Sequence, residues 1–353
     1  MLELISDPNL ITTKWLTEVL RAGGLLREGC VVGASWEMIG TGKMGDNARF
    51  TLTYDGDYDA PETLVAKLPA TDETARMMAG GMGAYRKEVM FYKELANKTA
   101  MNTPDIYLAL IDDDGSDFVI LMKDLAPAEP GDQLVGETLV HAKQALAEAA
   151  KLHGAFYGKS DLLGADYITR TDAESAAFGQ ELLEQNWPGF VERFGHGLSE
   201  ECIAFGHNYV AHHARWLAHY TGPKTLIHGD FRSENMLFSE HGRVATVDWQ
   251  TLTESCALAD VAYFIGGSLD IDVRRNHEEE LLDYYRHCLA QEGVTLSKEL
   301  CWQLYREFSI NGLLITVLGA MFSEAAERSD KMFMVMIQRH LQHCVDMNAQ
   351  EFL

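Results

Sequence analysis

Positive charge is scarce in this chain of 353 residues. Only 29 lysines and arginines stand against 53 aspartates and glutamates, a net charge of −24 at pH 7. Nucleic acid and anionic membrane surfaces both need a positive footprint, so neither is expected as the main partner. The acidity serves solubility, and more weakly fits a cationic substrate. Paired cysteines are missing too: Cys30, Cys202, Cys256, Cys288, Cys301 and Cys344 are scattered and never form a Cys-x-x-Cys unit. That argues against a disulfide framework or a structural zinc site and makes a reducing compartment the default. Long apolar runs are also lacking. Leu313–Met321 is far too short to span a bilayer, and the start MLELISDPNLITTKW lacks the basic and apolar segments of a secretory signal. The expectation is a cytoplasmic protein with no membrane insertion. No repeat or low-complexity tract is visible.

What is present is an apolar content of 47%, enough for a large core and more than one lobe. Residues 31–69 read as strands, with β-rich runs at Arg49–Tyr54 and Thr63–Leu68 between turns rich in glycine and aspartate. A helix is predicted from about Tyr85 to Ala96. Strands return at Ile106–Ile111 and Phe118–Met122, and residues 123–131, with two prolines and a glycine, read as a linker. Beyond it Leu139, Ala142, Leu146, Ala149, Leu152 and Phe156 recur at helical spacing. Helical character then continues to the C-terminus, interrupted by a β-like pair at 225–228 and 236–248. The predicted fold class is α+β. A sheet-rich N-terminal lobe covers 1–125, a hinge lies at about 122–127, and a larger, mostly helical lobe covers 126–353, with ligands expected in the cleft between lobes.

Gly40-Thr41-Gly42-Lys43-Met44-Gly45 spells G-x-G-x-x-G. The dinucleotide-binding version requires a helix straight afterwards, whereas Arg49–Tyr54 alternates as a strand does. Two readings stay open: an ordinary glycine-rich β-turn, or a hairpin tip of the kind that covers phosphates in kinases. In Thr63–Leu68 the side chains of Leu64, Ala66 and Leu68 share one face, and Val65 and Lys67 the other. A lysine on a partly buried strand face needs a partner for its ammonium. Glu88 falls on the inward stripe of the next helix with Phe91, Tyr92 and Leu95. Lys67 and Glu88 would solve each other's burial problem.

In the stretch TLIHGDFRSENMLF, residues 225–238, polar groups sit between two apolar runs. Asp230 and Asn235 lie five apart, and Asp248 follows Asn235 by 13 residues at the end of Val244–Val247. Oxygen-bearing side chains at the ends of short strands suit magnesium, which takes one or two carboxylates plus phosphate oxygens and water. Asn235 and Asp248 are therefore candidate metal ligands, which leaves Asp230 to accept a proton from a hydroxyl nucleophile. Taken alone, Asp-x4-Asn also occurs as a loop cap. Glycine loop, strand lysine, helix glutamate, Asp-x4-Asn and strand-end aspartate in this order make a combination that chance explains poorly.

With these residues in hand, the sequence resembles the aminoglycoside phosphotransferase and choline kinase-like family, small-molecule relatives of the protein kinases. The resemblance runs from about Val32 to Phe264, with a looser helical tail beyond. Its most specific parts are His228-Gly229-Asp230-Phe231-Arg232-Ser233-Glu234-Asn235 and Val247-Asp248-Trp249-Gln250, which look like the family's catalytic loop and metal aspartate. The resemblance implies a protein-kinase-like bilobal fold and transfer of the γ-phosphoryl of ATP, or GTP, to a small-molecule hydroxyl with Mg2+. It makes Asp230 the base and Asn235 and Asp248 the metal ligands. Gly40, Gly42 and Gly45 would cover the phosphates, and Lys67, oriented by Glu88, would contact them. Met122, Lys123, Asp124 and Leu125 would grip adenine through backbone groups, with Val65 above the ring. The run Met-Lys-Asp-Leu is similar to the hinge of the bacterial and insect ecdysteroid kinase-like branch. Asp260 would brace the catalytic loop through its amides and His228 would orient it, while His153 fits a satisfied core histidine. For Arg232 two readings stay open: a contact to the transferring phosphate, or a surface charge. Asn47 stands where protein kinases favour valine, which looks more like the small-molecule branch.

Spacing separates the two kinase classes. Only 11 residues, 249–259, lie between Asp248 and Asp260, with no room for a peptide-holding activation segment. The acceptor is expected against a helical insert at about 161–220, whose aromatics are more often core than pocket wall. An amino sugar or amino alcohol fits the acidic charge. A hydroxylated lipid, sterol or hydroxyacyl thioester fits the ecdysteroid kinase-like likeness. The alternative function is a nucleotide-binding scaffold without turnover. A nicotinamide-dependent oxidoreductase is disfavoured by the strand after the glycine loop.

Overall fold

Alternating apolar side chains build the first part of the chain, and helical stripes the rest. The computed structural model describes residues 2–40, 44–323 and 326–353. Gly42 of the glycine loop lies outside the described residues. The chain divides into two compact units: Met1–Lys98, Thr103–Pro127 and Val247–Thr251 form the first, and Thr99–Asn102, Ala128–Thr246 and Leu252–Leu353 the second. A single boundary near residue 125 does not describe this division, and two short segments show why. The Trp249 ring stacks on Phe91 at 3.6 Å, which ties Asp248 and its neighbours to the first unit. Asn102 accepts from the Thr246 N–H at 3.0 Å and donates to Glu148, which ties Thr99–Asn102 to the second.

The first unit contains α1 (Thr13–Ala22), β1 (Val31–Ile39), β2 (Gly45–Tyr54), β3 (Thr63–Pro69), α2 (Glu73–Gly81), α3 (Ala84–Met90), β4 (Ile106–Ile111) and β5 (Phe118–Lys123). Its five strands pair antiparallel in the order β1-β2-β3-β5-β4. Leu64, Ala66 and Leu68 of β3 enter a core with Phe50, Leu52, Val119 and Leu121, closed by Trp15, Leu16, Val19 and Leu20 of α1. Val65 and Lys67 alternate to the other face, as the pleat requires. α1 is not among the elements expected from the sequence pattern; the Thr12 hydroxyl caps it by accepting from the Trp15 N–H at 3.2 Å. The helix predicted over 85–96 ends as α3 at Met90 and continues as a π-helical turn at Phe91–Leu95. Phe91, Tyr92 and Leu95 are all buried there, and Phe91 meets Trp249.

The second unit contains β6 (Glu129–Pro130), α4 (Leu139–Phe156), α5 (Ser160–Leu163), β7 (Thr169–Arg170), α6 (Ala173–Phe194), α7 (Glu200–His219), β8 (Thr225–Ile227), β9 (Met236–Phe238), β10 (Val244–Thr246), β11 (Thr253–Ser255), α8 (Leu258–Ser268), α9 (Ile271–Gln291), α10 (Lys298–Phe308), α11 (Gly312–Phe322) and α12 (Glu327–Asp346). The β-like runs at 225–228 and 236–248 do not pair with each other. β8 joins the sheet β7-β11-β8, while β9 joins β10-β9-β6. A 3-10 turn at Ser233–Asn235 redirects the chain between them. The short stretch from Asp248 to Asp260 is filled by a 3-10 turn at Trp249–Thr251 and by β11.

α8 is the axis of this unit: all eleven of its residues are buried, and it packs against α9, α10, α11 and α12. α6 and α7 occupy the expected insert. Their Trp187, Phe190, Phe194, His213 and Trp216 are core, and Trp187 Nε1 donates to His207 Nδ1 at 3.0 Å. All six cysteines are free thiols. Among the described residues no helix is long and apolar enough to cross a membrane.

Candidate active site

Two clusters of charged side chains stand out, one in each unit. In the first unit, Lys67 is only 6% exposed and Glu88 is fully buried. Lys67 Nζ lies 2.7 Å from Glu88 Oε2 and 2.9 Å from Asp248 Oδ1. The pairing expected from the two inward stripes is therefore present, with Asp248 as a second partner 181 residues away in sequence. Burial works against the Lys67 charge, but Asp248 and Glu88 outweigh it and hold the ammonium above its usual pKa. Asp248 takes a left-handed backbone (φ 67°), and its side chain stays 40% accessible. A non-glycine residue in that conformation is uncommon, although aspartate and asparagine adopt it most readily.

Breaking a buried pair strands the remaining charge, which costs about 3–5 kcal/mol. Glu88→Ala should therefore lower stability on the order of 3 kcal/mol, with Asp248 compensating only in part. Combining it with Lys67→Met should restore part of the loss. Urea denaturation of the two single variants and the double checks this; strictly additive losses would show that the two side chains are not coupled.

The remaining first-unit candidates take the following places. Gly40 has φ 75°, the left-handed region open to glycine. Gly45 starts β2 opposite Pro69, and Val65, 9% exposed, shares the Lys67 face of β3. Within Met122–Leu125 two groups already have partners. The Lys123 N–H already donates to Asp105 O at 2.8 Å, so it is not available to a ligand. The Asp124 carboxylate accepts from Arg49 Nε at 2.7 Å and from the Ala126 N–H at 3.0 Å. Burial raises its pKa, but these two hydrogen bonds prevail and hold it low.

In the second unit, Asp260 on α8 is fully buried and accepts from two successive backbone amides, His228 N–H at 2.7 Å and Gly229 N–H at 3.0 Å. His153 lies 3.4 Å from Asp260 through Nε2 and 2.8 Å from the Tyr285 hydroxyl through Nδ1, so both of its ring nitrogens have partners in the core. The His228 Nδ1 accepts from the Asp230 N–H at 3.2 Å, which fixes the turn of the loop. Ser233 adds anchors of its own: its N–H donates to Ser268 Oγ and its hydroxyl to Gln133.

These contacts hold Asp230 in a defined environment. Its Oδ1 accepts from the Tyr263 hydroxyl at 2.7 Å. Its Oδ2 accepts from Asn235 Nδ2 at 2.9 Å and Arg232 Nε at 3.1 Å. Burial pushes the carboxyl pKa up, but the Arg232 charge and the Tyr263 hydrogen bond overcome this and keep it below the ordinary range. A carboxylate offers about four lone-pair positions. Among the described residues three are occupied, and 19% of the side chain is accessible. Asn235 is buried and commits its Nδ2 to Asp230, which leaves its Oδ1 as the acceptor end of the amide.

Arg232 is not a surface charge. Its side chain is 20% exposed and pairs with Asp230 and Glu234, and these anions raise its pKa against the effect of burial. Tyr263 is a contributor that the catalytic-loop motif does not reveal. Its signal lies in the spacing: Asp260 and Tyr263 stand at i and i+3, on one face of α8.

The comparisons with known proteins agree with this architecture. The sequence model of a family described as ecdysteroid kinase-like matches residues 44–297. No curated protein matches the chain. Among solved structures, the choline kinase from Cryptosporidium parvum Iowa II superposes with a TM-score of 0.57 at 11% identity, covering 97% of this chain and 98% of its own. Spectinomycin phosphotransferase in complex with ADP and spectinomycin gives 0.54 at 14% identity, covering 98% and 100%. The GDP complex of an aminoglycoside 2'-phosphotransferase gives 0.53 at 16% identity, covering 94% and 99%. At such identities the likeness establishes a shared α+β fold.

Proposed function

Since the chain belongs to the ecdysteroid kinase-like family, we propose that it transfers the γ-phosphoryl group of ATP, or GTP, to a hydroxyl of a small molecule. The state of Asp230 carries this reading: ionised, held by three donors, and partly accessible. Asp230 takes the hydroxyl proton as that oxygen attacks the terminal phosphorus. The bond from phosphorus to the bridging oxygen breaks, and the nucleoside diphosphate leaves with its electrons. The residues fit magnesium as well. Asp248 has an accessible carboxylate and Asn235 an amide oxygen, both hard oxygen donors. Bound magnesium offsets charge on the phosphates. Lys67, oriented by Glu88, adds a fixed positive charge, and the rest of the rate comes from positioning. The folds shared with nucleotide-bound phosphotransferases support the nucleotide half of this reading.

The test is a panel of hydroxyl compounds scored for acceptor-dependent release of ADP or GDP. It should span amino sugars, amino alcohols, sterols, hydroxylated lipids and hydroxyacyl thioesters. Mg-ATP or Mg-GTP is expected to raise Tm, and at least one acceptor to stimulate release. Nucleotide stabilisation with no stimulated release across the panel would favour a scaffold; no stabilisation by either nucleotide would sink the kinase reading.

A further inference from the structure

Gln250 lies in the 3-10 turn that directly follows Asp248. The stack of Trp249 on Phe91 anchors that turn. The Gln250 side chain is only 6% exposed, yet its Nε2 has no hydrogen-bond partner among the described residues. Buried donors are almost always paired, because an unpaired one gives up its hydration for nothing.

Its surroundings show what it faces. A Cβ built on Gly45 would stand 3.4 Å from Gln250 Nε2 and 3.8 Å from Lys67 Cε. The carboxamide and the lysine stem therefore border the same space over Gly45. Gly45 is not among the glycines with positive φ, so its backbone conformation does not demand glycine. The space does: a methyl there would press on Leu68 O at 3.1 Å and fill the gap below the amide. An unpaired N–H beside an ammonium selects an acceptor that is rich in oxygen and negative, and a phosphate meets both conditions.

Resting on the nucleotide reading above, we infer that Gln250 Nε2 donates to a phosphate oxygen of the bound nucleotide, and that Gly45 lacks a side chain so that the phosphates can reach it. Gln250 thus works beside Lys67 as a second, uncharged phosphate donor. Its role is in affinity for the phosphate chain and not in the proton transfer.

The test compares wild type with Gln250→Met, which keeps length and volume but removes the donor. Kd is measured by calorimetry for Mg-ATP, Mg-ADP and adenosine, together with Tm of the free protein. The variant should bind both nucleotides at least about tenfold more weakly, as expected for a hydrogen bond to a charged group. Its adenosine affinity should be unchanged and its unliganded Tm equal or higher, since no existing bond is lost. Wild-type nucleotide affinity in the variant, or an equal loss for adenosine, overturns the inference. A lowered unliganded Tm with unchanged affinity does so as well. Wild-type protein that binds no nucleotide overturns the kinase reading and this inference together, so the two failures are distinguishable. If Gln250→Met does not fold, Gln250→Asn, which withdraws the donor by one methylene, is read in the same way.

Discussion

Asp230→Asn is expected to leave the chain folded and still stabilised by Mg-ATP, while phosphoryl transfer falls by roughly a hundred- to ten-thousandfold. The amide preserves the shape of the side chain but not its acceptors. One oxygen position becomes an NH2 that cannot accept from Tyr263 on one side, or from Arg232 and Asn235 on the other. It also removes the group placed to take a proton. Single-turnover rates beside nucleotide Kd separate the two effects. Turnover within about tenfold of wild type would show that Asp230 is not the base. The pH dependence has a definite sign. Because Arg232 and Tyr263 hold the carboxyl below the ordinary carboxylate range, it stays ionised at neutral pH. Its contribution to stability is complete above the unfolded pKa of about 3.9 and is lost only as pH falls through the lower folded value.

The second large effect concerns stability in mild acid. His213, His340 and His343 are buried in the second unit, and neither ring nitrogen of His340 or His343 has a hydrogen-bond partner among the described residues. Glycines let them in: a Cβ would meet His343 Nδ1 at 2.3 Å from Gly266 and His340 Nε2 at 2.6 Å from Gly267. Burial lowers the pKa of His213 to about 4. Burial and the charge of Arg339 lower His340 to about 3, and burial and the charge of Arg274 hold His343 well below its ordinary value. All three folded values lie below the unfolded value of about 6.5, so the unfolded chain binds more protons between them. Stability is then complete above about pH 6.5 and falls as pH drops towards the folded values, by about 1.4 kcal/mol per pH unit for each group. By about pH 4.5 His213 and His340 alone remove on the order of 5 kcal/mol, a large part of the stability of an ordinary domain, and His343 acts in the same direction. Urea denaturation from about pH 7.5 to about pH 4.5 should show this steep loss, and His340→Phe should flatten it by about one proton. A flat profile over that range would contradict the neutral burial of these rings.

Much of the fold is legible in the sequence. β4 and α4 run over Ile106–Ile111 and Leu139–Phe156 as their patterns predict, because long regular periodicities report directly which face is buried. The inward lysine and glutamate can be matched because each is anomalous on an apolar face. Arg232 cannot be placed in this way. A charge in a loop has no periodicity, and only the fold shows it turned onto Asp230 and Glu234. The separation of β8 and β9 into different sheets is equally hidden, since three-residue strands carry no register of their own.

The sequence by itself determined the order of elements, the α+β class, the catalytic-loop candidates and the need of Lys67 for a buried partner. These are local properties, set by side-chain periodicity and by the cost of burying a charge. Tertiary structure alone decided that Asp248 shares Lys67 with Glu88, that Tyr263 reaches Asp230, and that Gln250 Nε2 has no partner among the described residues beside Gly45. Each of these depends on which distant segments meet. A pattern along the chain specifies the face that is buried, whereas the packed fold selects the atoms that face covers.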